Sequence, residues 1–202
     1  MKALVTGFDP FGGERVNASL EAMRRLPARF GAIEIATATL PTSYVRSLPA
    51  LEAAIARAKP EIVLCVGQAA DRAALCVERV AVNIQDARIP DNDGAKPVDR
   101  QVVAGGPAAY LATLPVRAAV AALRAEALPA ELSMSAGTFV CNHVFYALMH
   151  LAATRRHAFR GGFLHVPCLR EQATAGAPSL ALEEIVRGIH IVLEAAARDT
   201  VA

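Results

Sequence analysis

The run Ile62-Val63-Leu64-Cys65-Val66 is apolar at every position. A strand with apolar side chains on both faces needs cover on both sides, as in a sheet between two layers of helices. The rest of the chain alternates accordingly. Strand patterns occupy residues 3–6, 33–40, 61–67, 77–84, 132–136 and 162–166, and helical patterns occupy residues 19–26, 44–58, 116–127, 140–156 and 179–197. This alternation predicts an α/β fold, a layered domain with a mostly parallel or mixed central sheet flanked by helices.

The length and composition limit the organisation of the chain. Its 202 residues are enough for one domain with a substantial core; two minimal domains would also fit, but no linker or repeat divides the chain. We therefore expect a single domain over residues 1–202. The loop over residues 86–106 is long and rich in Pro, Gly, Asp and Asn, and loops of that length often carry function.

Charge and hydropathy exclude several function classes. Lys plus Arg total 21 and Asp plus Glu total 19, and aromatic residues make up 5%, so no nucleic-acid partner is expected. No run of eighteen apolar residues is present, and the N-terminal apolar segment is too short for a signal sequence. These features predict a cytoplasmic protein with no membrane partner.

One cysteine lies where a nucleophile could be activated. Cys141 follows a short strand that ends at Gly137 and falls in the first turn of the helical pattern that begins at residue 140. Unpaired N–H groups and the helix dipole favour an anion there, whether a thiolate or a substrate oxyanion. A buried, inert thiol would fit the same position equally well. Cys65, in the most apolar strand, is predicted to be structural, and Cys76 and Cys168 are not assigned chemistry.

A thiol nucleophile needs a base and an acid that orients it. His165 is the predicted base because it lies near a strand end, where ligands of α/β domains bind. His143 is on a different helix face from Cys141, and His150, His157 and His190 are interpreted as surface residues of helices. Four acids remain as alternatives: Glu78, Asp86, Asp91 and Asp93.

Metal and nucleotide sites are not predicted. No HExxH motif occurs, the cysteines form no CxxC pair, and His143 with His150 lack a nearby carboxylate. The glycine-rich residues 6–13 match neither dinucleotide nor P-loop patterns and carry Phe8 and Phe11. We interpret them as an apolar binding lip, and we expect no cofactor.

Several motifs in order along the chain give it a specific resemblance. They are GFDPFGG at 7–13 with Asn17, CVGQ at 65–68, ERVA at 78–81, DARIPDN at 86–92, GGPAAY at 105–110, AGTFVCNH at 136–143 and GGFLHVP at 161–167. With these the chain resembles the pyroglutamyl peptidase type I family. Two segments differ from the family pattern: Ala18-Ser19-Leu20 stands where Pro-Ser-Trp is usual, and Cys168-Leu169-Arg170 stands where an aromatic residue and a second proline are common.

The resemblance implies a cysteine exopeptidase that removes N-terminal pyroglutamate, with Glu78, Cys141 and His165 as its catalytic residues. It also implies a cytosolic homo-oligomer, with a tetramer favoured, and Arg88 as a donor to the oxyanion. A pyroglutamyl ring is a flat, neutral lactam. Phe8, Phe11 and Phe139 could hold its faces, although core packing is the alternative for each; Asn17 and Gln68 could meet its polar groups. Two rivals are another enzyme on a similar scaffold, such as a nucleosidase or phosphorylase, and a non-catalytic binding protein.

Overall fold

The structure, a computed structural model, describes residues 1–154, 159–174 and 176–199. The strands are β1 (Lys2–Phe8), β2 (Arg29–Phe30), β3 (Ile33–Leu40), β4 (Ile62–Gln68), β5 (Leu75–Glu78), β6 (Val80–Val82), β7 (Ala109–Leu111), β8 (Ala130–Ser133), β9 (Arg160–Val166), β10 (Cys168–Leu169) and β11 (Ser179–Leu180). The helices are α1 (Ala18–Arg24), α2 (Ser47–Ala58), α3 (Val116–Ala125), α4 (Val140–Thr154) and α5 (Leu182–Arg198).

Seven strands form one mixed sheet in the order β2-β3-β1-β4-β9-β5-β8. Strands β3, β1, β4 and β9 run parallel to one another, whereas β5 pairs with β9 in the antiparallel sense and β8 runs parallel to β5. The predicted fold class is therefore confirmed. Every residue of β4 is buried, as its apolar sequence requires.

Helices cover both faces of the sheet. One core cluster unites α1, α3 and α5 with one face, and the other unites α2 and α4 with the opposite face. Helix α4 is buried on most of its circumference, which explains why its sequence is apolar almost throughout. In α2, Pro49 lies in the first turn, where the missing N–H costs nothing.

The predicted strand over residues 77–84 is wrong as a single element. The chain leaves the main sheet at Arg79, whose N–H donates to Ser133 O and whose carbonyl accepts from Ala112 N. Beyond it, β6 pairs with β7 in a separate two-stranded sheet. All residues of β5 are buried, whereas burial alternates along β6. The sequence pattern continues through the break without a turn signal, so periodicity could not reveal the change of partner.

Among the described residues, no helix is long and apolar enough to cross a membrane. The same residues contain no group of three His, Cys, Asp or Glu side chains that could hold a metal ion.

Candidate active site

Cys141 is the second residue of α4, as predicted, and its side chain is half-buried. Gly137, with φ of 72°, makes the turn between β8 and the helix in a conformation that favours glycine. The first hydrogen bond of the helix joins His143 N to Phe139 O. The backbone N–H groups of the residues before His143 have no hydrogen-bond partner within an α-helix. They therefore place hydrogen-bond donors around Cys141.

Asn142, the next residue, fixes the start of α4 and is buried. Its Oδ1 accepts from Val82 N at 3.0 Å, and its Nδ2 donates to Val82 O at 2.9 Å and Ile84 O at 3.0 Å. These bonds attach the Cys141 turn to β6. This role of Asn142 was not predicted from the sequence; an amide in the first turn of an otherwise apolar helix was the signal available.

His165 lies near the end of β9, opposite Gly67 of β4 and Cys76 of β5. Its Nδ1 is 2.8 Å from Oε1 of Glu78, and the side chains of His165 and Glu78 are 6% and 0% exposed. The imidazole also forms a hydrogen bond with the Cys141 side chain. Since Nδ1 faces the carboxylate, Nε2 is the nitrogen left for the thiol, and His165 joins the other two predicted catalytic residues.

The electrostatics of His165 favour its protonated form. Burial lowers its pKa, but the negative charge and hydrogen bond of Cys141, followed by those of Glu78, outweigh burial and raise the pKa to about 9. At neutral pH the arrangement therefore favours the imidazolium form of His165.

The four candidate acids, among which the sequence pattern could not choose, have clearly different surroundings in the structure. Glu78 is completely buried against His165, rather than being a solvated charge at a strand edge. Asp91 accepts from Tyr44 N, Asp93 N and Ala95 N, and Asp93 pairs with Arg46. Asp86 is exposed and reaches Thr138 through its backbone. Among the described contacts, Glu78 alone of the four acids bonds to a histidine.

Gly67 makes room for the sulfur. A Cβ added at Gly67 would lie 2.9 Å from Cys141 Sγ and 2.9 Å from Cζ of Phe163. Cβ contacts that short do not occur in proteins, so a side chain at this position would displace the thiol, the ring or both. The role of Gly67 depends on a close approach between β4 and α4, which the motif at residues 65–68 could not show by itself.

The other thiols have different surroundings. Cys65 is buried, as predicted, and burial raises the pKa of its thiol to about 12. Burial likewise raises the pKa of Cys76 to about 11. Cys168 is half-buried in β10, and its Sγ accepts from Gln68 Nε2 at 3.4 Å. Burial raises its pKa also, with the charge of Glu14 adding to the effect.

The remaining histidines are not surface residues as a group. His143 is buried, its Nδ1 lies 2.9 Å from Gln85 Nε2, and burial lowers its pKa to about 4, so it stays neutral at physiological pH. His150 is half-buried, 2.9 Å from Tyr110 Oη, and His190 stacks on Phe30. The surface prediction for both was wrong because helix periodicity did not show which neighbours cover them. His157 lies outside the described residues.

The predicted aromatic residues separate into two environments. Phe8 is 2% exposed and packs on Phe163 in the core. Phe11 and Phe139 are half-buried, and their ring centroids are 5.8 Å apart at an angle of 41°. At that distance the two rings contact each other and form one apolar wall. Tyr44 meets Phe139 edge-on at 5.8 Å and extends that wall.

Asn17 and Gln68 are buried and already hydrogen-bonded within the protein. Asn17 caps α1: its Oδ1 accepts from Ser19 N and Oγ, and its Nδ2 donates to Asp9 O. Gln68 Oε1 accepts from Ala18 N at 2.6 Å and from Gln172 Nε2 at 3.2 Å. Both side chains hold the loop after β1 in place. Arg88 is exposed in the long loop that follows β6.

Comparison with known proteins decides the family. The sequence matches the family described as pyroglutamyl peptidase over residues 1–199. The chain belongs to the pyroglutamyl peptidase family. A pyrrolidone-carboxylate peptidase of Brevibacillus brevis is 48% identical over 198 residues, covering 95% of this chain and 90% of that protein. One of Erwinia tasmaniensis is 50% identical over 195 residues, covering 95% and 91%.

A solved structure agrees with this assignment. The crystal structure of pyroglutamyl peptidase I from Bacillus amyloliquefaciens superposes with a TM-score of 0.95, is 45% identical, and covers 98% of this chain and 97% of that one. The fold is therefore that of a pyroglutamyl peptidase.

The two segments that differ from the usual pyroglutamyl peptidase sequence lie on one side of the sheet. Ala18, Leu20 and Leu169 pack in the cluster with α1, α3 and α5, opposite the face that carries α4. Ser19, the position of this segment that matches the usual sequence, accepts a hydrogen bond from Phe8 N through its Oγ at 3.1 Å. Both differences are thus accommodated in packing behind the site.

Proposed function

We propose that this chain is a cysteine-type omega-peptidase that hydrolyses the bond after an N-terminal pyroglutamyl residue. The observation that carries the proposal is the series Cys141–His165–Glu78, in which a buried imidazole bonds to a thiol on one side and to a carboxylate 2.8 Å away on the other. Membership of the pyroglutamyl peptidase family supports the substrate class.

In the first half of the proposed reaction, His165 holds the proton taken from Cys141, and the thiolate attacks the carbonyl carbon of the pyroglutamyl residue. The carbonyl oxygen becomes an oxyanion, which backbone N–H groups at the start of α4 and the guanidinium of Arg88 would stabilise. When the C–N bond breaks, its electron pair goes to the amine, which receives the proton from His165. An acyl-enzyme and a peptide with a new amino terminus result.

In the second half, His165 removes a proton from water as the water attacks the thioester carbonyl. The tetrahedral intermediate collapses, the C–S bond breaks, and Cys141 leaves as the thiolate beside protonated His165. Glu78 holds the imidazole orientation and stabilises its positive charge throughout. No cofactor takes part in the proposed reaction.

The proposed pocket uses the wall of Phe11 and Phe139 against one face of the lactam ring, with Phe8 behind it in the core. The polar edge of the ring would meet backbone groups of the loop that Asn17 and Gln68 hold in place. A site that pairs the lactam N–H and C=O rejects substrates lacking them far better than an apolar slot does, by about 10⁴-fold.

The proposal also covers the domain organisation, the assembly and the cellular location of the protein. We propose that residues 1–202 form a single domain, that the domain assembles as a homo-oligomer with a tetramer favoured, and that it works in the cytoplasm. Size-exclusion chromatography with light scattering tests the assembly.

The decisive experiment is turnover of a pyroglutamyl-aminomethylcoumarin substrate by the purified protein. Release of coumarin supports the enzyme and counts against a non-catalytic binding protein. Iodoacetamide should abolish turnover, and a non-hydrolysable pyroglutamyl compound should protect the protein against this inactivation. Unprotected inactivation, or full activity after alkylation of Cys141, would favour another enzyme class in which the thiol is incidental.

A further inference from the structure

Phe11 and Phe139 come from distant parts of the sequence, and their contact depends on what holds the two segments together. One short stretch touches both. Residues 86–92, which we call the arm, begin beside the segment of Phe139 and end beside the segment of Phe11, and they carry Arg88 and Ile89 between these points.

The first attachment of the arm is at Asp86. Its N–H donates to Thr138 O at 3.1 Å, and Thr138 Oγ1 donates to Asp86 O at 2.7 Å. Thr138 directly precedes Phe139, so this pair of bonds fixes the backbone from which that ring projects. It is also three residues before Cys141, within the turn that leads into α4.

The second attachment is at Asn92. Its Nδ2 donates to Pro10 O at 2.8 Å and to Asp9 Oδ1 at 3.2 Å, and its backbone N–H donates to Thr42 O at 3.0 Å. Pro10 directly precedes Phe11. The side chain of Asn92 thus joins the arm to the loop after β1, and the backbone N–H of Asn92 joins the arm to the turn after β3.

The arm also lies along the Phe11 loop between these attachments. A Cβ placed on Gly12 would be 3.6 Å from Cδ1 of Ile89, which is ordinary van der Waals contact. The two aromatic residues are therefore held by opposite ends of one seven-residue stretch that follows the loop carrying one of them.

We propose that Asn92 and Thr138 are positioning residues that hold Phe11 and Phe139 together as one wall, and so determine how tightly the lactam ring binds. This inference rests on the proposed function. Neither residue takes part in bond breaking, because the thiol, imidazole and carboxylate are held by separate contacts. Loosening either attachment raises KM and the inhibition constant of the bare ring in parallel, and any accompanying fall in kcat reports displacement of Arg88, which the arm also carries.

The expected effect is moderate because Asn92 is exposed and water replaces part of each lost hydrogen bond. We expect Asn92→Ala and Thr138→Val each to raise KM about 3- to 10-fold. Asn92→Asp should raise KM further, since a carboxylate would face Asp9 and the carbonyl of Pro10. Added salt should reduce the additional rise in KM of Asn92→Asp and leave the KM of Asn92→Ala unchanged, because salt screens repulsion between exposed charges.

The experiment measures kcat and KM with the pyroglutamyl-coumarin substrate, and the inhibition constant of 2-pyrrolidone, for the wild type and these three variants. Lys96→Ala is the control, since Lys96 is exposed in the same loop beyond the arm. Thermal unfolding of each variant verifies that the fold is retained. Parallel rises in KM and in the 2-pyrrolidone constant, with Lys96→Ala unchanged, support the inference.

Three results would contradict the inference, and the first of them would also overturn the proposed function. A wild-type protein that does not turn over the substrate overturns the proposed function and, with it, this inference. An active wild type whose folded Asn92→Ala and Thr138→Val variants keep their KM and 2-pyrrolidone constant overturns the inference alone. A loss confined to kcat overturns it also, because a wall for the ring acts in binding.

Discussion

Glu78 and His165 are diagonal neighbours across the antiparallel pair of β5 and β9, and Oε1 of the acid lies 2.8 Å from Nδ1 of the imidazole. Residues opposite and diagonal to each other in such a pair project from the same face of a sheet. The antiparallel insertion of β5 therefore gives His165 its partner. A parallel β5 would run in the other direction and place a different residue beside the imidazole.

Replacing Glu78 by Gln tests this relationship. The change keeps the size of the side chain but removes the charge that stabilises the imidazolium, and the new amide can favour the wrong tautomer. We expect a loss of about 10²-fold or more in kcat with little change in KM. Steady-state kinetics of Glu78→Gln, Asp91→Asn and Asp93→Asn check the assignment.

The two aspartate variants provide the comparison for Glu78→Gln. Folded Asp93→Asn should keep most of its kcat, and Asp91→Asn should lose stability rather than chemistry, because three backbone N–H groups would face an amide. A fully active Glu78→Gln beside an inactive, folded Asp91→Asn would assign the acid elsewhere.

Substitution of the cysteines separates chemistry from packing. Cys141→Ser should fold and lose at least about 10³-fold in turnover, since an alcohol needs far stronger activation than a thiol. Cys65→Ser should mainly lower the free energy of unfolding, because it buries a hydroxyl in an apolar strand. Activity assays and denaturant unfolding measure both effects. An active Cys141→Ser with a folded, inactive Cys65→Ser would reverse the assignment of the nucleophile.

Cys168 contacts Gln68 but not the catalytic series among the described contacts. We therefore expect Cys168→Ser to keep most of its activity and to change the sensitivity of the protein to oxidants. Turnover before and after exposure to hydrogen peroxide measures this. A loss of more than about 10²-fold in the folded variant would reveal a role for Cys168 in the reaction.

Much of the architecture could be predicted because it follows from local sequence patterns. The apolar run in β4, the helix start ahead of Cys141 and the strand end at His165 each depend on residues close in sequence. The choice of Glu78 among four acids did not follow from local pattern, since it depends on which strand β5 joins and in which direction. The resemblance to a family supplied that choice, and the burial and distance of Glu78 agree with it.

Gly67, Asn142 and the attachments of the arm were missed for a related reason. Each acts through a contact between segments separated by tens of residues, such as Gly67 with Cys141 or Asn92 with Pro10. A glycine in a strand or an asparagine in a loop has many ordinary explanations when read alone. Such residues become informative when the sheet order is known.

The close approach of Gly67 to the Cys141 sulfur leads to a further prediction, which depends only on packing around the thiol. In Gly67→Ala the new Cβ would displace Cys141 Sγ or the ring of Phe163. We expect a folded protein with kcat reduced about 10-fold or more, because small misplacements of reacting groups are costly. Gly161→Ala is the control: its Cβ would meet side chains of Leu148 and Met149 at 3.1 Å, so stability should change while kcat does not. Equal kcat losses in the two variants would contradict a local effect on the thiol.

The charge of His165 gives the last prediction. Burial lowers its pKa, and Cys141 contributes more than Glu78 to the opposing rise to about 9. Removing the thiol in Cys141→Ala should therefore lower the His165 pKa clearly. In the wild type the folded state holds this proton more tightly than the unfolded state, whose histidine pKa is about 6.5. The resulting stabilisation is complete below that pH and disappears as pH rises through about 9.

Two measurements check this prediction. NMR titration of labelled histidines should give a lower His165 pKa in Cys141→Ala than in the wild type. The unfolding temperature of the wild type should fall between pH 6.5 and 9 more steeply than that of the variant, because the variant lacks the side chain that contributes most to raising the His165 pKa. An unchanged His165 pKa in Cys141→Ala would mean that Glu78 alone sustains the imidazolium, and the thiol would then be no part of the ion pair.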